Sequence, residues 1–212
     1  LAIKPDYAEA HNNLGVTIKD LGQPDDAVKC YEHALAIKPD YAEAYNNLGI
    51  TIKDLGQPDA AVKCYEQALA IKPDYAEAHN NLGNALKNLG QLGAAVKSYV
   101  ESLDIKPDYA DAHNNLGNAL MELGRLEASV KSCQKALSIK PDFADAHFNL
   151  GITFQKLKQL DKALASYESA IALNTNIDFA LGVLLNTKMH LCLWDDLEKS
   201  LKELTKKINH GE

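Results

Sequence analysis

The chain has 212 residues, 46% apolar and 24% charged, with a formal net charge of −7. No apolar run approaches the roughly 18 residues a membrane-spanning helix needs, so no membrane partner is expected. The 22 Lys and Arg residues are spread without a basic stripe, and phosphate binding needs clustered positive charge, so a nucleic-acid partner is not expected either.

The chain opens on Leu1-Ala2-Ile3-Lys4-Pro5-Asp6-Tyr7, which matches Leu35 to Tyr41 and Leu69 to Tyr75. Residues 1–7 therefore read as the tail of a preceding repeat, and the chain as a piece of a longer protein. The missing leader then says nothing about location. The prolines Pro5, Pro39, Pro73, Pro107 and Pro141 recur at a constant step of 34 residues, the mark of a stacked repeat array. Counted from the Ala after each Pro-Asp-Tyr or Pro-Asp-Phe, the repeats are 8–41, 42–75, 76–109, 110–143 and 144–177, followed by a C-terminal segment at 178–212. The first two repeats differ at only four of their 34 places.

Each repeat carries two helical patterns. In the first, Asp6 and Glu9 are spaced for a capping box at the helix start. Ala10, Leu14, Ile18 and Leu21 then follow helical spacing as the buried face. Gly22, Gly56, Gly90 and Gly124 stand where each first helix must stop. The second helix begins near Pro24, a favoured first-turn residue, buries Ala27, Val28, Tyr31, Ala34 and Leu35, and ends near Lys38 before the next Pro. Gly15 falls inside the first helix and recurs as Gly49, Gly83, Gly117 and Gly151. A mid-helix glycine costs about 1 kcal/mol against alanine, so its recurrence implies close approach of the second helix. The small residues Ala27, Ala61, Ala95, Ser129 and Ala163 are the expected partner surface.

The period, the Leu-Gly of the first helix, the small residues and aromatic of the second, and the closing Pro together resemble the tetratricopeptide repeat family, over about 170 of the 212 residues. The resemblance implies an all-α fold, a right-handed superhelical solenoid of helix-turn-helix repeats ended by capping helices. It also implies that first helices line a concave groove.

The fourth place of the repeat holds His11, Tyr45, His79, His113 and His147. Metal ligands must converge on one ion at about 2 Å, whereas these recur one repeat apart, so they read as half-buried fillers of an aromatic slot, and no metal or other cofactor is expected. Cys30 and Cys64 likewise lie one repeat apart, too far for a disulfide. With Cys133 and Cys192 they read as thiols in a reducing compartment, and a cytoplasmic location is expected.

On the stripe left over from packing, the sixth place is Asn13, Asn47, Asn81, Asn115 and Asn149, and the fifth is Asn12, Asn46, Asn80 and Asn114, then Phe148. An asparagine amide carries both a donor and an acceptor, so a column of them can grip an extended polypeptide by its backbone. The sixth-place column is similar to the asparagine ladder lining the superhelix of O-GlcNAc transferases. Recent duplication, a bond to a neighbouring helix, or plain solvation would also account for these residues. The fifth-place asparagines and Lys19, Lys53 and Lys87 are additional groove candidates. The acidic column Glu9, Glu43, Glu77, Asp111 and Asp145 is assigned to capping.

Past Asn174 the period fails. Residues 177–194 read as an apolar capping helix with Met189 and Trp194 packed on the fifth repeat. Leu197, Leu201, Leu204 and Ile208 mark one face of a last helix. The stretch LLNTKMHLCLWDDLEKSLKELTKKI, from Leu184 to Ile208, resembles the segment joining repeats to the catalytic domain in bacterial O-GlcNAc-transferase-like proteins. That resemblance implies a downstream glycosyltransferase using a sugar nucleotide, with this chain as its polypeptide-recognition arm. The chain itself holds no nucleophile-base pair, metal set or phosphate-cradling loop, so it is not expected to be an enzyme. The leading expectation is a scaffold binding a polypeptide or protein in its groove; the alternative is a structural scaffold that self-associates into homo-oligomers.

Overall fold

The computed structural model describes residues 7–174 and 180–193. All regular structure there is helical. The helices fall into two compact units, residues 1–107 and 108–212. The first contains α1 (Ala8–Asp20), α2 (Pro24–Ile37), α3 (Ala42–Asp54), α4 (Pro58–Ile71), α5 (Ala76–Asn88) and α6 (Leu92–Ile105). The second contains α7 (Ala110–Glu122), α8 (Leu126–Ile139), α9 (Ala144–Lys156), α10 (Leu160–Leu173) and α11 (Ala180–His190). The all-α expectation holds.

Within each repeat the two helices form an antiparallel hairpin: α1 packs on α2, α3 on α4, α5 on α6, α7 on α8 and α9 on α10. Each second helix then abuts the next first helix of its unit, α2 against α3 and α4 against α5, and α8 against α9. First helices also touch one another, α1 with α3, α3 with α5, and α7 with α9. That extra contact makes the first-helix side the tighter side of each unit.

The hairpin turn follows from local backbone chemistry. Gly22 has φ +77°. Its N–H donates to the Lys19 carbonyl at 2.9 Å, and that of Gln23 to the Ile18 carbonyl at 3.1 Å. These two bonds define a Schellman stop, which satisfies carbonyls the helix end would otherwise leave orphaned. Lys158 replaces the glycine in the fifth repeat yet keeps φ at 60° and both bonds, to the carbonyls of Gln155 at 3.0 Å and Phe154 at 2.9 Å. Pro24 and Pro58 then open α2 and α4 from the first turn.

Helix starts depart from the capping-box expectation. The N-cap is the aromatic, Tyr41, Tyr75, Tyr109 or Phe143, and no side chain bonds the cap; Tyr7 does the same at α1, while Asp6 lies outside the described residues. The lysine of the Lys-Pro-Asp turn covers the ring instead at three of these starts, with Nζ of Lys38 and Lys72 each 4.7 Å from the Tyr41 and Tyr75 ring centres and that of Lys140 4.8 Å from the Phe143 ring centre. Two residues of the acidic column reach the C-cap lysine of their own repeat's second helix: Glu77 meets Lys106 at 3.0 Å and Glu43 meets Lys72 at 3.7 Å.

The core runs along the hairpins. Ala27, Tyr31 and Ala34 are buried, with Val28 and Leu35 packed against them. Gly15 faces the Tyr31 ring rather than Ala27: a Cβ on Gly15 would lie 2.6 Å from Cε1 of Tyr31. The same holds for Gly49 with Tyr65, Gly83 with Tyr99 and Gly151 with Tyr167, and Gly117 faces Sγ of Cys133. In four repeats the side of a tyrosine ring is thus what the missing Cβ accommodates, and in the fourth it is Cys133, with the Ser129 carbonyl 3.4 Å away. Leu21 departs from the expected buried face, being 71% exposed as the C-cap of α1; among the described residues no helix precedes α1 to cover it, whereas Leu55 and Leu89 are half-buried.

In the second unit α11 packs on α10 through the buried Ala180, Leu184 and Leu185. Met189, in the last turn of α11, is 48% exposed and so less covered than expected. Trp194 and the last predicted helix lie outside the described residues.

Candidate peptide-binding face

The two asparagine columns meet each other across repeats. Asn12, Asn46, Asn80 and Asn114, at the fifth place, are all buried, with 4 to 7% exposure. Of the sixth-place residues, Asn13 is exposed and Asn47, Asn81, Asn115 and Asn149 are partly open. In the first unit Nδ2 of Asn47 donates to Oδ1 of Asn12 at 3.0 Å, and Nδ2 of Asn81 donates to Oδ1 of Asn46 at 3.0 Å. In the second unit Nδ2 of Asn149 donates to Oδ1 of Asn114 at 2.9 Å. Every such pair is 35 residues apart, one repeat plus one place. A buried amide oxygen without a partner would cost about 1–3 kcal/mol; the next repeat supplies that partner, so the asparagines do have a structural duty. The offset of one between two columns of period 34 was the sequence signal for it.

Neighbouring positions modulate the ladder. The ninth place is Asn84 and Asn118 in the third and fourth repeats, a feature the sequence reading passed over. Oδ1 of Asn84 accepts from the Tyr99 hydroxyl at 2.8 Å. Nδ2 of Asn118 lies 3.4 Å from Oδ1 of Asn149, so Asn149 is engaged at both ends. Asn12 similarly reaches Oδ1 of Asn13 at 3.4 Å. Backbone contacts steady the helix here, since Thr51 and Thr153 bond back to the carbonyls of Asn47 and Asn149 at 2.9 and 2.8 Å.

Two candidate groove lysines converge on one carboxylate. Lys19 and Lys53 approach Asp54 at 3.0 and 3.2 Å. Burial raises the Asp54 carboxyl, but hydrogen bonds from Lys19 and then Lys53 outweigh it and hold the group below its ordinary value. This pairing links α1 to α3 and leaves less positive charge for an acidic ligand. Lys87 is half-buried on α5.

The fourth-place histidines are half-buried and make local contacts. Nε2 of His79 and of His147 lie 2.9 and 3.0 Å from the carbonyls of Pro73 and Pro141, and His11 meets the His33 ring edge-on. Nδ1 of His79 lies 3.2 Å from the Glu101 carboxylate. Among the described residues no group of three or more His, Cys, Asp or Glu is placed to hold a metal, and no helix is long and apolar enough to cross a membrane. All four cysteines are free; burial pushes the Cys133 thiol up to about 11, which makes it a poor nucleophile.

In each unit, helical hairpins closed by glycine on tyrosine or, in the fourth repeat, on Cys133, with polar amides on the tighter side, define a helical-repeat interaction module. Tetratricopeptide-repeat profiles match residues 6–74, 64–97, 83–124, 117–158 and 144–176, and the chain belongs to the tetratricopeptide repeat family. Proteins of this family are generally protein-interaction scaffolds. No curated protein matches the chain significantly in sequence. Among solved structures, MamA is 25% identical, over 76% of this chain and 94% of its own, with a TM-score of 0.68. PilF of Pseudomonas aeruginosa is 18% identical over 94% of this chain and 90% of its own, with a TM-score of 0.84. YrrB, a TPR protein with an unusual peptide-binding site, is 22% identical over 85% of this chain and 93% of its own, with a TM-score of 0.67.

Proposed function

We propose that the chain is a non-catalytic scaffold that holds an extended polypeptide along its first-helix side, gripping the backbone through the sixth-place asparagines. The observation that carries this reading is that Asn47 and Asn81 stand partly open, held by buried neighbours. Packed helices lie about 8–10 Å apart, and an extended chain rises about 3.3 Å per residue. Successive ladder amides therefore meet roughly every third residue of a bound strand. The peptide-binding site of YrrB is a precedent for such use of the fold.

The resemblance of the ladder, and of the Leu184 to Ile208 stretch, to O-GlcNAc-transferase-like proteins supports a finer reading: the recognition arm of a larger glycosyltransferase. The test is capture of a fluorescent 12-residue Ser/Thr/Val peptide, followed by anisotropy, with Asn47→Ala, Asn81→Ala and Asn115→Ala combined. Binding is expected to weaken at least about tenfold, at about 0.5–1.5 kcal/mol per lost hydrogen bond, while the helical circular dichroism stays intact. Undiminished binding by the triple variant would sink the ladder.

A further inference from the structure

The ladder amides of the first unit are not free to present either edge. Nδ2 of Asn47 and of Asn81 is drawn inward, each donating at 3.0 Å to Oδ1 of Asn12 or Asn46 in the preceding repeat. Those acceptors are only 5% and 4% exposed, so they are anchored in the packing. A primary amide holds its oxygen and its two N–H groups in one plane, so tying one N–H to the buried oxygen also aims Oδ1. Oδ1 of Asn47 and of Asn81 accepts no hydrogen bond from the described residues, yet neither is a buried orphan; both oxygens reach solvent. A flip of the Asn47 or Asn81 amide alone would set oxygen against oxygen at the Asn12 or Asn46 contact, and Asn12 is held in its own orientation by Nδ2 reaching Oδ1 of Asn13 at 3.4 Å.

Resting on the peptide-binding reading, we infer that this face selects its ligand by the ligand's N–H groups. An extended polypeptide with free backbone amides is taken; an N-alkylated or proline-rich one, with the same carbonyls but fewer donors, is refused. Asn12 and Asn46 are positioning residues: they do not touch the ligand and set the polarity of the amides that do. The requirement falls on backbone donors, so it leaves ligand side chains unspecified.

The test compares the fluorescent 12-residue Ser/Thr/Val peptide with a counterpart in which alternate backbone amides are esters, which removes N–H groups and retains every carbonyl. The full chain is expected to bind the ester form at least about tenfold more weakly, each lost hydrogen bond being worth roughly threefold to tenfold. Asn12→Leu with Asn46→Leu releases the ladder amides, and the preference is expected to fall toward one even though some binding persists. Asn12→Asp with Asn46→Asp keeps the acceptors and is expected to keep the preference, which a merely structural role would not explain. Should the leucine pair fail to fold, the unmodified chain and the aspartate pair still decide. If the parent peptide binds, the Asn47, Asn81 and Asn115 triple alanine variant weakens it, and the ester form binds equally well, the polarity is refuted while peptide binding stands. If the parent peptide does not bind at all, both fall.

Discussion

One missing methyl group sets how closely the helices of each repeat approach. On Gly83 a Cβ would lie 2.5, 2.7 and 2.9 Å from three atoms of the Tyr99 ring, which is fully buried and tethered through its hydroxyl to Asn84. Gly83→Ala gains about 1 kcal/mol in helix propensity, but overpacking a closed core costs about 1–3 kcal/mol. Because the ring cannot swing aside, overpacking wins, and a net loss of up to about 2 kcal/mol is expected in urea unfolding; an unchanged or higher midpoint would refute it. The recurrence of glycine was legible in the sequence, since a mid-helix glycine needs a reason. Its partner was not, because Tyr31 and Ala27 lie on the same buried stripe of α2 and spacing alone does not say which one faces Gly15. The amide pairs were obscured differently. They join residues 35 apart in different helices, and only the register between repeats brings Asn47 onto Asn12.

At the scale of the element, each hairpin depends on how its first helix stops. Helix existence and order, the positive-φ stops at Gly22, Gly56, Gly90 and Gly124, and Pro at the start of α2 and α4 were all readable from local chemistry. Helix starts were not, because the Asp-x-x-Glu pattern satisfies the capping-box template while Tyr41 and Tyr75 occupy the cap and Glu43 and Glu77 reach lysines instead. Lys158 marks a cost left in place. It holds φ at 60°, where a side chain crowds the following carbonyl by about 1–2 kcal/mol. Lys158→Gly relieves that crowding and gives back part of the gain as unfolded-chain entropy. The expected net effect is about 0.5–1 kcal/mol of added stability, seen as a raised thermal midpoint; a lowered midpoint would mean the Lys158 stem contributes more than its backbone loses.

For the whole molecule, stability in such arrays is nearly a sum of repeats and nearest-neighbour interfaces. The first two repeats differ only at residues 11, 16, 26 and 33 against 45, 50, 60 and 67, so the surface that residues 42–75 offer to the third repeat is almost the surface that 8–41 would offer. Excising 42–75 brings Asn81 onto Asn12 in place of Asn46. The shortened chain is expected to keep its helical signal per residue and to melt at a lower temperature; a fall in helicity per residue would show that the repeats are not interchangeable. The bond between asparagines 35 positions apart then has a hereditary meaning. An in-frame duplication or loss of one repeat's worth of DNA adds or removes a complete rung, already oriented by its neighbour, so the reach of the ladder can evolve in whole steps without inventing a contact.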